Sequence, residues 1–196
     1  MRSPQEIVLD RALGSWMTRV LDPAKGVETE DAKRGKVEIR RYIEEGLGWK
    51  LPNGYAGDGA FSWCGAFAAW CWLGAGLTVE NARKFAPPDA PGHVYASTWR
   101  LSQAAKRDPA FKVAKVSDIR PGDTVVIEGP DHKPYGDHIV TALAWDKVQS
   151  ELVIVHGNGH GRWPTGEWVE GVVVSTIPRS SIVAAYRPNE RWLKKV

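Results

Sequence analysis

The stretch that decides the fold reads Phe61-Ser62-Trp63-Cys64-Gly65-Ala66-Phe67-Ala68-Ala69-Trp70-Cys71-Trp72 and follows a loop rich in Gly and Asp. Its apolar composition predicts a buried helix, and the hydroxyl of Ser62 is expected to cap its N-terminus. Cys64 then lies in the first turn, where free backbone N–H groups and the positive end of the helix dipole favour the thiolate. Two interpretations remain open, a catalytic nucleophile and a buried structural cysteine, because free Cys is among the most buried residue types.

The 196 residues predict one domain with a terminal extension, large enough to bury a core without disulfides or metal ions. We place an N-terminal accessory helix and linker at residues 1–28 and the main domain at 29–196. Cys64 and Cys71 are separated by about 10 Å along the predicted helix, which is too far for a disulfide. The formal net charge of +3 comes without a cluster of Lys and Arg, so no nucleic acid partner is predicted.

The N-terminus has the pattern of an amphipathic helix. Ser3-Pro4-Gln5-Glu6 is a capping box with Pro at the first helical position. The apolar core of a signal peptide is absent from this segment, and the longest apolar stretch, residues 65–77, is too short to cross a bilayer. We therefore expect synthesis in the cytoplasm without a Sec signal, and no insertion into a membrane.

Helical patterns dominate the first half of the chain, and strand patterns dominate the second half. The predicted helices cover residues 4–20, 31–45, 62–73 and 95–106. The predicted strands cover residues 112–115, 124–128, 138–145, 151–157, 167–175 and 182–186. This order predicts an α+β fold in which helices pack on one side of an antiparallel sheet of about five to six strands.

A catalytic cysteine requires a base, which is usually a histidine oriented by a third polar group. His138 is the best candidate, because it begins a predicted strand directly after the turn Tyr135-Gly136-Asp137. Its ring would project from the strand end beside the helix that carries Cys64. The alternative is a surface histidine in a loop.

The third polar group follows from the pairing of two predicted strands. If Trp145 lies opposite Glu151, the antiparallel register places Asn158 opposite His138 and His156 diagonal to it. Positions 156 and 158 point to the same face because strand side chains alternate, so either could accept the imidazole N–H. We favour Asn158, because an amide oxygen can accept this N–H without a change of charge. Each also has a structural interpretation, Asn158 as a turn residue and His156 as a buried polar residue satisfied by the backbone.

Metal binding is the main alternative chemistry for these polar residues. The candidate ligands of a zinc site are His132, His138, His156 and His160, but the helical H-E-x-x-H pattern is absent. Asn53 and Asp58 offer too few oxygen atoms for calcium. We therefore predict no metal ion and no cofactor.

Four short motifs together resemble those of CHAP domains, which are cysteine, histidine-dependent amidohydrolases and peptidases related to the NlpC-like cell-wall peptidases. In chain order the motifs are Trp63-Cys64-Gly65-Ala66-Phe67, Pro121-Gly122-Asp123, Gly136-Asp137-His138-Ile139-Val140 and His156-Gly157-Asn158. The ending Val183-Ala184-Ala185-Tyr186-Arg187-Pro188 is similar to the final strand of that family. The resemblance covers residues 36–188 and implies a papain-like fold.

The resemblance also implies roles for individual residues. Cys64 matches the nucleophile, His138 the base, and Asn158 the Asn of the family's terminal Gly-Asn. His156 departs from the Glu that many members have there and resembles the NlpC-like branch, where the third polar residue is often His. The oxyanion hole would use the backbone N–H of Cys64, with the Tyr55 hydroxyl as a candidate second donor. The candidate substrate-binding residues are Tyr55, Trp63, Asp137 and Trp163.

The implied function is degradation of peptidoglycan by a cysteine amidase or endopeptidase that forms a thioester at Cys64. Without a Sec signal, such an enzyme is expected to reach the periplasm and cell wall as an antibacterial effector of a secretion system, or as a phage endolysin released by a holin. An effector would have an immunity protein as a partner. Two other classes stay open, a non-catalytic binding module on a papain-like fold and a transglutaminase-like acyl transferase.

Overall fold

The computed structural model describes residues 2–21, 30–50, 62–78, 80–81, 94–128 and 136–194. Within these ranges the longer helices are α1 (Pro4–Met17), α2 (Glu30–Leu47), α3 (Cys64–Gly74) and α4 (Thr98–Arg107). The described part of the chain then forms the strands β1 (Thr124–Ile127), β2 (His138–Asp146), β3 (Glu151–Arg162), β4 (Trp168–Pro178) and β5 (Ile182–Tyr186). They pair in one antiparallel sheet with the order β4-β3-β2-β1-β5, which confirms the predicted α+β class.

Helix α3 is buried on all sides and lies at the centre of the core. Every residue from Cys64 to Trp72 is buried, as expected for a helix that is apolar around its whole circumference. A Cβ on Gly65 would lie 1.9 Å from the backbone oxygen of Tyr95, so this close approach of two chain segments requires glycine. Helix α2 packs along α3, where the ring centroid of Tyr42 lies 4.8 Å from that of Trp70.

Helix α1 packs against α3. Its capping box forms as predicted: the backbone N–H of Ser3 donates to the Glu6 carboxylate at 2.6 Å, and the backbone N–H of Glu6 donates to the Ser3 hydroxyl at 3.3 Å. Arg11 donates to the backbone oxygen of Trp70 at 2.6 Å. Helix α1 therefore contributes to the same hydrophobic core as α3, and its separation as an accessory element at residues 1–28 stays a prediction.

The sheet carries apolar side chains on both faces. Ile139 of β2 and Val155 of β3 belong to the main core, which they share with α3. Val140 and Ile154 are the neighbouring residues on the same strands, and they point to the opposite face because strand side chains alternate. There they form a smaller cluster with Ile119. Helix α3 thus lies against β2 and β3, the two strands that carry the candidate catalytic histidines.

Strands β2 and β3 do not pair in one continuous register. Trp145 lies opposite Leu152 rather than the predicted Glu151. A β-bulge between Ala142 and Ala144 adds one residue to β2 and shifts the pairing, so that the predicted register is restored at Ala142 and Thr141. The predicted pairing was therefore wrong beside the turn, and it is confirmed at the end of the ladder nearer to His138.

Most predicted elements differ in their bounds, and β3 differs most at its end, since it extends to Arg162 rather than to residue 157. Residues 112–115 form no strand, and Lys112 makes an isolated bridge with Tyr186. The helix predicted to begin at residue 95 begins at Thr98, because the Ser97 hydroxyl caps it by accepting from the backbone N–H of Arg100 at 3.3 Å. No helix in the described ranges combines the length and the apolar character that crossing a bilayer requires.

An ion pair with a buried carboxylate joins β1 to the edge strand β5. The carboxylate of Asp123, which is fully buried just before β1, accepts two hydrogen bonds of 2.6 Å from Arg187, just after β5. The backbone N–H of Arg120 donates to the same carboxylate at 2.8 Å. Burial raises the pKa of Asp123, and these hydrogen bonds oppose that rise. The Pro-Gly-Asp motif at residues 121–123 therefore has a structural role in joining β1 to β5.

Candidate active site

The first residue of α3 and the first residue of β2 meet beside the sheet. Cys64 begins α3 and His138 begins β2, and the helix packs directly on this strand. His138 lies close enough to the thiol of Cys64 to lower its pKa through a side-chain hydrogen bond and through its charge. The structure thus brings the predicted nucleophile and the predicted base together.

The surroundings of the Cys64 thiol favour the thiolate. Burial raises the pKa of the thiol, but the hydrogen bond and the charge of His138 lower it, with smaller contributions from Ser62 and the backbone of Ile139. Together these effects lower the pKa of Cys64 from 9.0 to about 7. Burial raises the pKa of Cys71, which lies two turns further along α3. Cys64 is therefore the more reactive of the two thiols.

Ser62 contacts the thiol and does not cap the helix. The N-cap residue of α3 is Trp63, which makes no side-chain capping hydrogen bond. The hydroxyl oxygen of Ser62 lies 3.5 Å from Sγ of Cys64. The predicted cap at Ser62 was therefore wrong, because this hydroxyl is turned toward the sulfur atom and stabilises the thiolate.

The lowered pKa predicts how alkylation of Cys64 depends on pH. In a Cys71→Ala background, the rate of modification by iodoacetamide should rise with pH to half its maximum near pH 7, because the thiolate forms as pH passes through the pKa. His138→Ala should move this midpoint upward, since burial remains while the hydrogen bond and charge that oppose it are lost. The rate of modification is measured by mass spectrometry of samples quenched at successive times. A wild-type midpoint near 9, or one that His138→Ala leaves in place, would contradict the described contact.

His156 of β3 lies at hydrogen-bond distance from the other side of the His138 ring. Nε2 of His138 is 2.8 Å from Nδ1 of His156. His156 is 7% exposed, and burial, followed by the charges of His138 and His160, lowers its pKa to about 3. It is therefore neutral at neutral pH, with one ring nitrogen that donates and one that accepts. Because His156 engages Nε2 of His138, Nδ1 is the nitrogen that remains for Cys64.

Asn158 lies in a bulge of β3. The pairing with β4 shifts between His156 and Gly159, and Asn158 has a φ of 57° in the left-handed region that Asn tolerates better than most residues. Its side chain is partly exposed. The described partner of Nε2 in His138 is His156. Of the two candidate orienting residues, His156 rather than the favoured Asn158 thus has the geometry for that role.

Ser175 of β4 is a part of the site that the sequence analysis missed. Its hydroxyl oxygen lies 3.1 Å from Nε2 of His156. Ser175 pairs with Ile154, the residue two positions before His156, so the two side chains are diagonal neighbours on one face. The signal in the sequence is slight, a polar residue directly after the apolar run 172–174. Side chains from four elements therefore form one connected row, which consists of Cys64, His138, His156 and Ser175.

Two glycines of β3 make room for this row. A Cβ on Gly159 would lie 2.3 Å from Cε1 and Nδ1 of His156, and a Cβ on Gly157 would lie 2.3 Å from the ring of Trp63. A larger residue at either position would therefore displace an aromatic ring. The sequence Gly157-Asn158-Gly159 is typical of turns, but here it lies within a strand and permits close packing.

An open cleft of about 350 Å³ leads to Cys64. Thr98 at the start of α4 donates to the backbone oxygen of Gly136 at 2.8 Å and so holds α4 beside the segment that precedes β2. Trp99, which is 41% exposed, lines the cleft on this side. Asp137, a predicted substrate-binding residue, also lines the cleft. A substrate can therefore reach the thiol from solvent.

The other three predicted substrate-binding residues do not join this cleft. Trp63 is 1% exposed and packs in the core, with its ring centroid 6.0 Å from that of Tyr42. It supports the site from inside, which differs from the predicted substrate contact. Trp163 lies between β3 and β4, and its ring packs against Trp16 of α1 at 5.4 Å between centroids. Tyr55, also the candidate second oxyanion donor, lies outside the described residues.

The candidate metal ligands are not assembled within the described residues. There, no group of three or more His, Cys, Asp or Glu side chains is placed to hold a metal ion. His138 and His156 contact each other, whereas His160 pairs with Glu170 at 3.3 Å. Asn53, Asp58 and His132 lie outside the described ranges.

No family model, curated protein or solved structure matches this chain. Its function therefore has to be inferred from the site itself. That site combines a thiol of lowered pKa, a row of two imidazoles and a hydroxyl behind it, and an open cleft in front of it.

Proposed function

We propose that this protein is a cysteine hydrolase that cleaves an amide bond of peptidoglycan through a thioester at Cys64. The observation that carries the proposal is the contact of Cys64 with His138, which is backed by His156. A thiol beside an imidazole that a third polar group orients is the arrangement of nucleophilic catalysis. Peptidoglycan is proposed as the substrate because the chain's motifs resemble those of CHAP and NlpC-like domains.

In the proposed reaction, the Cys64 thiolate attacks the carbonyl carbon of the amide. The negative charge on the carbonyl oxygen is stabilised by the backbone N–H of Cys64, a first-turn donor that has no partner within its own helix. The C–N bond then breaks as Nδ1 of His138 gives its proton to the departing amine. His138 next takes a proton from water, the hydroxide attacks the thioester, and the C–S bond breaks to release the acid and the thiolate.

We also propose a papain-like fold of the Cys-His-His type. It is supported by a buried helix with cysteine at its first position, packed on an antiparallel sheet that carries the two histidines on neighbouring strands. His156 in the third position favours the NlpC-like branch over members with Glu there. The proposed substrate places its action in the cell wall, as an antibacterial effector with an immunity protein or as a phage endolysin.

Acyl transfer is the second candidate function. The cleft beside Cys64 is open, so an amine in place of water could accept the acyl group from the thioester. A non-catalytic binding module is less well supported, because binding alone does not require a thiol whose pKa is lowered to about 7.

Digestion of purified peptidoglycan in water enriched in ¹⁸O tests this proposal. We expect new peptide or muropeptide fragments whose new carboxyl group carries ¹⁸O, because the second step consumes water. Mass spectrometry of the soluble fragments detects both the fragments and the label. Cys64→Ala serves as the inactive control. Unchanged peptidoglycan would contradict the proposed substrate, and products joined to an added amine without ¹⁸O would favour acyl transfer.

A further inference from the structure

Both ring nitrogens of His156 are engaged, and the two partners lie on opposite sides of the ring. Nδ1 lies 2.8 Å from Nε2 of His138, and Nε2 lies 3.1 Å from the hydroxyl oxygen of Ser175. His156 is buried, and Ser175 is partly buried beside it on β4. A neutral imidazole carries a single N–H, so the partner of one nitrogen decides what the other nitrogen can do.

The reaction requires one particular proton arrangement. For His138 to receive a proton at Nδ1 from Cys64, its own proton must be on Nε2, where it points at His156. Nδ1 of His156 must then be the acceptor, which places the His156 proton on Nε2. The same tautomer of His156 remains suitable after His138 is protonated, because both ring nitrogens of His138 then donate and Nδ1 of His156 still accepts. The opposite tautomer of His156 would direct a second N–H against Nε2 of His138.

We propose that Ser175 is a positioning residue whose hydroxyl oxygen accepts the Nε2–H of His156 and thereby fixes the tautomer that accepts a hydrogen bond from His138. Ser175 acts through two imidazoles and does not reach the substrate. Its effect on turnover rests on the proposed hydrolase function, whereas its effect on the thiol and on His156 does not. Among the described residues, the charges that act on His156 are those of His138 and His160, and the latter is paired with Glu170.

Three variants separate positioning from packing. Ser175→Ala removes the acceptor, Ser175→Thr keeps a hydroxyl at a strand position where a β-branched residue is favoured, and Thr176→Ala changes the exposed neighbour. We expect Ser175→Ala to lower the rate of Cys64 alkylation at pH 7 and amide hydrolysis each about fivefold, the usual effect of one hydrogen bond. Ser175→Thr should restore both rates, and Thr176→Ala should leave both unchanged.

The tautomer itself is read from ¹⁵N chemical shifts of the histidine side chains in the intact protein. We expect the wild type to show His156 protonated at Nε2, and Ser175→Ala to show a mixture of tautomers. Wild-type protonation at Nδ1 would overturn the proposal, as would a Ser175→Ala variant with an unchanged His156 spectrum and alkylation rate. If peptidoglycan is not hydrolysed but the spectral and alkylation effects are found, the positioning role stands and the proposed function fails.

Discussion

Replacing Cys64 with alanine is expected to lower the rate of amide hydrolysis at least about 10⁴-fold, because the nucleophile and the thioester are both lost. The matched change Cys71→Ala should leave the rate within about twofold of wild type, since a residue two turns inside a buried helix does not reach the cleft. Release of soluble fragments from peptidoglycan, followed over time by mass spectrometry, measures both rates.

Thermal melts and peptide mapping serve as controls for this comparison. Both variants should melt cooperatively, which excludes unfolding as the cause of lost activity. Mapping of the wild-type protein after limited iodoacetamide treatment should place the modification at Cys64. Preferential modification of Cys71, or hydrolysis that survives in Cys64→Ala, would remove Cys64 from the proposed mechanism.

The second large effect is expected at His156. His156→Ala should lower the hydrolysis rate by about 10²- to 10⁴-fold, because the His138 imidazole loses the acceptor that holds its ring and tautomer. Asn158→Gly should retain most of the activity. Glycine is the suitable replacement there, because it adopts the φ of 57° without strain and removes only the amide side chain.

His160→Ala is the control for the loss of a histidine from β3, since His160 is exposed and pairs with Glu170. It should hydrolyse peptidoglycan at close to the wild-type rate. A large loss in Asn158→Gly beside a nearly wild-type His156→Ala would instead assign the orienting role to Asn158, as the family's Gly-Asn implies.

The elements that carry the site could be predicted from local sequence. The apolar run after Ser62 predicts a buried helix, and the helix begins at Cys64. The turn before His138 predicts a strand that begins at this residue, and β2 does so. These patterns depend on residues that are neighbours in the chain, which is why they could be recognised without the fold.

The features that could not be predicted depend on contacts between distant segments. Nothing in residues 142–144 marks a β-bulge, because the extra residue is defined by the facing strand. Ser62 has the residue type of a cap, but the thiol beside it competes for its hydroxyl. Ser175 joins the site because β4 pairs with β3, a pairing that the residues around Ser175 do not encode by themselves.

The burial of His156 as a neutral imidazole also affects the resistance of the fold to acid. Its pKa is 6.5 in an unfolded chain and about 3 in the folded protein, so between these values the unfolded chain binds a proton that the folded protein does not. The free energy of unfolding therefore falls as pH drops through this window, by about 1.4 kcal/mol for each pH unit from this one side chain. The residue that orients the base thus makes acidification costly to the whole fold.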